Sequence, residues 1–172
     1  MNTLVPRSPL LSRLTFLLLL AVLPAMAAAG EMQAWLMYNP SSSETLMTTD
    51  FLEKSHLAQG GWKVSGSGIL QSEGGTDTAP LVRMVRATDK GIFRMLVTDP
   101  EEVSAKLKAG FVTEGTLGYV AVKTAVGLIP VCRFSKAGTF IWLSSAADQK
   151  WAETNGWKRE PNKFWLWPTN YR

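Results

Sequence analysis

The sequence has little of what metal and catalytic sites usually require: it contains one cysteine, Cys132, and one histidine, His56. A single cysteine cannot close an intramolecular disulfide, and one Cys with one His is too few for a zinc site. The chain also lacks an Asp-x-Asp-x-Asp-Gly calcium loop, a Gly-x-Ser-x-Gly motif and a glycine-rich phosphate loop. We therefore predict no catalytic residue, no metal and no cofactor.

Charge is scarce at the N-terminus, where Arg7 and Arg13 are the only charged side chains before Glu31. An apolar run over 14–23 follows, and small residues fill most of 25–29. A basic start, a short apolar middle and a small-residue exit are typical of a cleavable signal peptide. The run is shorter than the roughly 20 residues that a membrane-spanning helix needs. We predict a signal peptide over 1–29, a secreted or periplasmic protein, and no stable membrane span after cleavage.

The remaining charge is small. Loss of Arg7 and Arg13 lowers the formal net charge from +4 to +2. Binding to nucleic acid requires a concentrated basic surface, which so small a net charge does not indicate. We predict no nucleic-acid partner and a single domain over 30–172, whose oligomeric state the composition leaves open.

Internal repetition is the most informative positive feature of the sequence. Asp50, Asp99 and Ser145 follow one another at intervals of 49 and 46 residues. The glycines of Gly61-Trp62, Gly110-Phe111 and Gly156-Trp157 follow one another at the same two intervals. The sequence therefore predicts three repeats, at about 34–78, 79–127 and 128–172.

Each repeat carries the start and stop signals of one short helix. Asp and Ser are good N-cap residues, and an acidic residue stands three positions later in every copy, at Glu53, Glu102 and Asp148. With Glu, this spacing resembles a capping box. The glycine that follows each predicted helix can adopt the left-handed conformation that ends it.

Strand-like runs flank these helices, two before and one after. The runs before the helices lie at 34–38 and 45–48, 81–85 and 92–97, and 131–134 and 139–143. Those after the helices lie at 67–70, 117–122 and 164–167. The fold class is therefore predicted as α+β and β-rich, with three β-β-α-β repeats in a compact pseudo-threefold domain. A β-trefoil-like barrel is the alternative, and an open array of three repeats is a further architecture that the pattern allows.

These landmarks resemble the DUF5648 repeat family, a secreted repeat of unknown function. The matching motifs are Tyr38-Asn39-Pro40, Thr48-Thr49-Asp50, Gly61-Trp62, Thr98-Asp99, Glu114-Gly115, Arg133-Phe134 and Gly156-Trp157. The histidine of the family's pattern is missing from all three copies. Because such repeats often accompany secreted hydrolase domains, the resemblance implies an accessory binding role.

Aromatic and polar side chains are the remaining candidates for a binding site. Sugar rings present flat C–H faces that stack on Trp or Tyr, while their hydroxyl groups bond to nearby polar side chains. The predicted ligand-binding residues are Trp35, Tyr38, Asn39, Arg83, Arg133 and Trp142.

We therefore expect a secreted, non-catalytic binding module for carbohydrate or cell-envelope glycan. The alternative is an envelope protein–protein interaction partner, such as an inhibitor of a secreted enzyme. A hydrolase is the least favoured class, and it would require carboxylates among Glu44, Glu53, Glu102 and Glu114 to meet in space as a pair. His56 is expected to be structural or exposed to solvent.

Overall fold

The computed structural model describes residues 30–89, 91–161 and 164–170, so the predicted signal peptide lies outside the described residues. The protein is β-rich, with 51% strand and three helices. In chain order the elements are β1 (Glu31–Asn39), β2 (Glu44–Thr48), α1 (Phe51–Gln59), β3 (Lys63–Gln71), β4 (Thr78–Thr88), β5 (Gly91–Val97), α2 (Pro100–Lys108), β6 (Val112–Ala121), β7 (Ile129–Lys136), β8 (Thr139–Leu143), α3 (Ala146–Thr154), β9 (Lys158–Arg159) and β10 (Phe164–Leu166). We call β1–β3, β4–β6 and β7–β10, each with its helix, the first, second and third units.

The three helices begin where the capping residues predict. The side chain of Asp50 accepts hydrogen bonds from the backbone of the first turn of α1, and Asp99 and Ser145 do the same for α2 and α3. Each helix is followed by a glycine with positive φ, namely Gly61 (87°), Gly110 (83°) and Gly156 (76°). The backbone N–H of the next, aromatic residue then donates to a carbonyl of the last helical turn.

The capping-box prediction is wrong in one respect. The N–H of Asp50 donates to Thr48 Oγ1 and not to Glu53, whose carboxylate bonds to Arg83. Glu102 likewise accepts from Arg133. A guanidinium offers a glutamate a stronger, charge-assisted hydrogen bond than a neutral backbone N–H does.

All strand pairs are antiparallel, and the main path through the sheet runs β2-β1-β3-β6-β10-β7-β8. Each unit starts with a hairpin. The units are joined through β6, which pairs with β3 of the first unit and with β10 of the third. The sheet is open, so the β-trefoil-like barrel, which requires closure, is not the observed architecture. The backbones of Ile69 and Trp167 exchange hydrogen bonds of 2.7 and 3.3 Å, which bring the C-terminal segment back to β3.

The main core draws side chains from all three units. It includes Leu36 and Met47 from the first, Met84 from the second, and Trp142 and Phe164 from the third, each with 1% or less of its surface exposed. A smaller cluster packs α3 against the third hairpin. The helices contribute little, since Ala152 is the one buried residue among those described for α1, α2 and α3. Burial of strand residues therefore supplies most of the hydrophobic stabilisation.

Candidate functional site

A cluster of charged side chains joins the first and second units. Arg83 of β4 lies in register with Leu96, three residues before the N-cap of α2. Its Nη1 atom is 2.8 Å from Glu53 of α1, and its Nε atom is 3.0 Å from Glu114 of β6. Nη1 also donates to the Met47 carbonyl. The guanidinium of Arg83 is therefore engaged within the protein.

An arrangement of the same kind joins the second and third units. Arg133 of β7 lies in register with Trp142, three residues before the N-cap of α3. Its Nη1 atom is 2.7 Å from Glu102 of α2, and its Nε atom pairs with Glu160, which follows β9. The side chain of Arg133 is 9% exposed. A charge this well buried needs such partners, and the two carboxylates supply them.

Where the third unit meets the first, the positions at the same distances from the helix caps carry different residues. Leu36 lies in register with Met47, three residues before the N-cap of α1, and so occupies the position of the two arginines. Asp148 of α3 stands where Glu53 and Glu102 stand, and Ser65 stands four residues after Gly61, as Glu114 does after Gly110. Within the part of the chain that the structure describes, Asp148 forms no ion pair.

A cavity of about 220 Å³ lies at this third position, lined by Tyr38, Ser65, Leu143, Asp148 and Trp151. The rings of Tyr38 and Trp151 meet edge to face, with centroids 6.1 Å apart. Trp151 is 41% exposed, although a large aromatic side chain gains free energy by burial. One oxygen of the Asp148 carboxylate accepts from Ser145 Oγ at 2.7 Å.

Close packing holds the two sides of this cavity together. A Cβ atom on Gly66 of β3 would lie 1.9 Å from Ser144 Oγ, which precedes α3. Ser65 Oγ donates to the Leu36 carbonyl at 3.1 Å, which fixes the hydroxyl beside the cavity. The lining residues therefore come from strands and a helix in direct contact, a rigid setting of the kind that binding sites need.

Trp35 forms a separate aromatic group beside the first helix. Its ring centroid lies 6.3 Å from that of Phe51 in an edge-to-face arrangement, and Lys54 Nζ lies 5.0 Å from the Trp35 ring. Phe51 and Leu52 are 61% and 67% exposed. The start of α1 therefore presents apolar side chains to the solvent.

The other predicted site residues have internal partners. Asn39 Oδ1 accepts from the backbone of Ser41 at 2.9 Å, which stabilises the turn after β1. Trp142 is 1% exposed and belongs to the main core, so its ring has no face at the surface. Of the six predicted residues, Tyr38 alone lines the cavity at the third position.

Sequence reasoning did not identify Asp148, Ser65 and Trp151 as residues that line one cavity. The spacing predicts Asp148 in the first turn of α3. What sets it apart is that Glu53 and Glu102, at the same position in α1 and α2, each pair with an arginine, whereas Asp148 forms no ion pair among the described residues. Each arginine comes from a strand of another unit, so local spacing does not reveal it. The same helical position, six residues after the N-cap, holds His56 in α1 and Ala105 in α2, so Trp151 has no Phe, Tyr or Trp counterpart.

The carboxylates of Glu53 and Glu114 both lie against the guanidinium of Arg83. Burial alone would raise the pKa of Glu53, but hydrogen bonds from Arg83 and Thr48 and the charges of Arg83 and Arg94 lower it below the ordinary value of 4.5. A general acid needs a raised pKa. His56 lines an open groove of about 710 Å³ beside Glu53 and Arg83.

The described residues contain no group of three or more His, Cys, Asp or Glu side chains placed to hold a metal ion. No helix in the described ranges is long and apolar enough to cross a membrane.

Comparison with known proteins agrees with the sequence motifs. No curated protein and no solved structure matches the chain. The family described as "Domain of unknown function (DUF5648)" matches residues 33–167, which is most of the chain. The chain therefore belongs to the DUF5648 family.

Proposed function

We propose that this protein is an exported, non-catalytic binding module that holds one residue of a carbohydrate or cell-envelope glycan in the cavity lined by Tyr38, Asp148 and Trp151. The observation that carries the proposal is the contrast among three corresponding positions. Two are filled by an arginine bound to two glutamates, and the third is an open cavity with aromatic walls.

The proposal includes three repeats arranged with pseudo-threefold symmetry. Its support is the order strand, strand, helix, strand in each unit, together with equivalent caps and glycine turns. In such an arrangement, two of three equivalent places hold an arginine–glutamate cluster, and the third holds the cavity instead. Replacement of a stabilising cluster by an open cavity costs stability, and functional sites commonly carry such a cost.

The chemistry of the cavity suits a sugar. Trp151 and Tyr38 offer apolar ring surfaces, while Asp148 and Ser65 offer oxygen atoms to sugar hydroxyl groups. The volume of about 220 Å³ is smaller than the roughly 300–1,000 Å³ of pockets that enclose drug-sized ligands. The cavity therefore suits a single residue of a longer glycan better than a whole small molecule.

Binding is tested with the full chain, expressed with its N-terminal segment and purified after export, on an array of neutral and envelope glycans. The strongest ligand is then titrated calorimetrically. Trp151→Ala is expected to weaken binding about tenfold through the loss of one stacking partner. Asp148→Asn is expected to weaken it less, because an amide keeps one acceptor oxygen.

Phe51→Ala is the matched control, since it removes an exposed aromatic ring outside the cavity. Equal affinity of the wild type and the Trp151→Ala variant for every glycan that binds would exclude this cavity as the site.

One observation favours the alternative function, an envelope protein–protein partner. Trp35, Phe51 and Leu52 form an apolar group at the start of α1 with Lys54 at its edge. Exposed apolar surface with a polar rim is typical of protein interfaces. If Phe51→Ala abolishes capture of an envelope protein while Trp151→Ala leaves it unchanged, the alternative is preferred.

Export is tested separately by N-terminal sequencing of the protein recovered from the envelope or the medium. Because small residues cluster there, its first residue is expected between Ala28 and Glu31. An exported protein that still begins at Met1 would contradict the signal peptide.

A further inference from the structure

A second cleft, of about 510 Å³, lies between the hairpin of the second unit and the strands β2 and β8. Three cationic side chains line it, Arg86, Arg94 and Lys106, and one acidic side chain, Glu44. Three phenylalanine rings complete the apolar part of its wall, those of Phe93, Phe111 and Phe140. The cleft is separate from the cavity at Tyr38 and Trp151, since the two share no lining residue.

Arg86 and Arg94 are incompletely hydrogen-bonded within the described part of the protein. The Nε atoms of both side chains are buried without a hydrogen bond among the residues described. Arg86 uses Nη1 to donate to the Ala109 carbonyl at 3.2 Å, and its Cζ atom lies 4.7 Å from the centre of the Phe111 ring. A buried donor without a partner costs free energy, and a nearby anion offsets part of that cost electrostatically.

The positive charges in the cleft are only partly neutralised. Arg94 Nε is 3.6 Å from Glu114, a carboxylate that lies closer, at 3.0 Å, to Arg83. Lys106 Nζ lies over two rings, 5.9 Å from the centre of Phe111 and 5.5 Å from that of Phe140. Rings hold a cation in place without cancelling its charge.

Glu44, the acidic residue of the cleft wall, accepts a hydrogen bond from Ser42 Oγ at 3.1 Å. The lining thus carries three cationic groups and one anionic group, in a protein whose formal net charge is only +4. A local excess of positive charge in a cleft with low-dielectric walls concentrates anions.

We propose that this cleft binds a small organic anion, a ring compound that carries a carboxylate or a phosphate group. The anionic group bonds to Arg86, Arg94 and Lys106, and the ring lies against the phenylalanine side chains. A bare inorganic anion would occupy a small part of 510 Å³ and leave the rings uncovered. The proposal does not depend on the glycan site, because the two sites have no residue in common.

The test uses the purified full chain, titrated calorimetrically at low ionic strength with glucose 6-phosphate, glucuronate and glucose. We expect the phosphate or the carboxylate probe, or both, to bind, and the affinity to fall as salt is added. A difference between the two acidic probes identifies the preferred anionic group. Failure of both to bind would overturn the proposal.

Lys106→Gln and Arg94→Gln are expected to lower the affinity for the acidic probe about tenfold each, because each removes one charged contact. Lys108→Gln is the matched control, since this lysine of α2 is exposed and does not line the cleft. Melting temperatures of all variants show whether they fold.

An affinity that none of these variants changes would also overturn the proposal, because the probe would then bind elsewhere. Trp151→Ala is expected to leave the affinity for the acidic probes unchanged. The failure of one proposed site is thereby distinguished from the failure of the other.

Discussion

Arg83 and Glu53 lie 2.8 Å apart, and their ion pair joins the second unit to the helix of the first. Glu53 thus has a role beyond its own helix, because it fixes α1 against a strand that begins well after α1 ends. Arg133 and Glu102 repeat the relationship one unit later, at 2.7 Å. The charge clusters therefore set the relative positions of neighbouring units.

The Glu53 contact predicts a pH dependence of stability. Because its pKa in the folded protein is lowered below the ordinary 4.5, the contact is fully stabilising above about pH 4.5. The stabilisation is lost as the pH falls through the lower, folded pKa. Glu53→Gln is therefore expected to flatten the decrease in unfolding free energy at acidic pH.

Urea unfolding at a series of acidic pH values measures this dependence. Glu101→Gln is the control, since Glu101 is an exposed glutamate in the first turn of α2. It is expected to keep the slope of the wild type. A wild-type slope in the Glu53→Gln variant would mean that another group controls acid stability.

The second prediction concerns the helix caps. Asp99 accepts a hydrogen bond from the N–H of Glu101 at 2.9 Å, so Asp99→Ala is expected to lower the free energy of unfolding by about 1 kcal/mol. Asp99→Asn keeps a capping oxygen and is expected to cost only a small part of that. Thermal unfolding measures both, and equal losses for the two variants would count against a capping role.

How much of this fold follows from the sequence depends on the range of the interactions. Asp99 and Gly110 enclose α2 by contacts within a few residues, so the sequence predicts its position closely. The strand Lys158–Arg159 is only two residues long and has too few side chains to produce an alternation pattern. The arginine partners of Glu53 and Glu102 lie about 30 residues away in the sequence. The three-residue spacing from the N-cap residue suggests a capping role for these glutamates instead.

The candidate site depends still more on long-range contacts. The residue type of Tyr38 predicts a binding role, but its neighbour Trp151 lies more than 100 residues later in the chain. Trp142 has the same chemistry as Trp151 and is buried in the core. Residue type alone does not separate a core aromatic from a surface one, because burial is set by the packing of all three units.

The third prediction concerns Arg133. Arg133→Met leaves Glu102 and Glu160 without their cation. An unpaired carboxylate at a partly buried site strongly destabilises the folded protein. We expect the free energy of unfolding to fall by about 3 kcal/mol. Addition of Glu102→Gln and Glu160→Gln to this variant is expected to restore part of the loss, because the unpaired charges are removed.

Lys123→Met is the matched control for Arg133. It breaks an ion pair with Asp77 in which the lysine is 72% exposed, and surface pairs contribute about 0–1 kcal/mol. Denaturant unfolding compares the variants. A loss for Arg133→Met no larger than that for Lys123→Met would mean that the cluster does not hold the second and third units together.

The last prediction is that the purified protein turns over no glycosidase, esterase or peptidase substrate, although it contains carboxylates close to one another. Glu53 and Glu114 both lie against Arg83, and the lowered pKa of Glu53 keeps it ionised. A glycosidase needs one carboxyl group protonated at working pH to donate to the leaving oxygen, which a neighbouring guanidinium opposes. A substrate panel is run beside the glycan titration, with Glu53→Gln, Glu114→Gln and His56→Ala as variants. Turnover by the wild type that any one of these substitutions abolishes would establish catalysis around Arg83, in or beside the groove that His56 lines, and would overthrow the binding-module proposal.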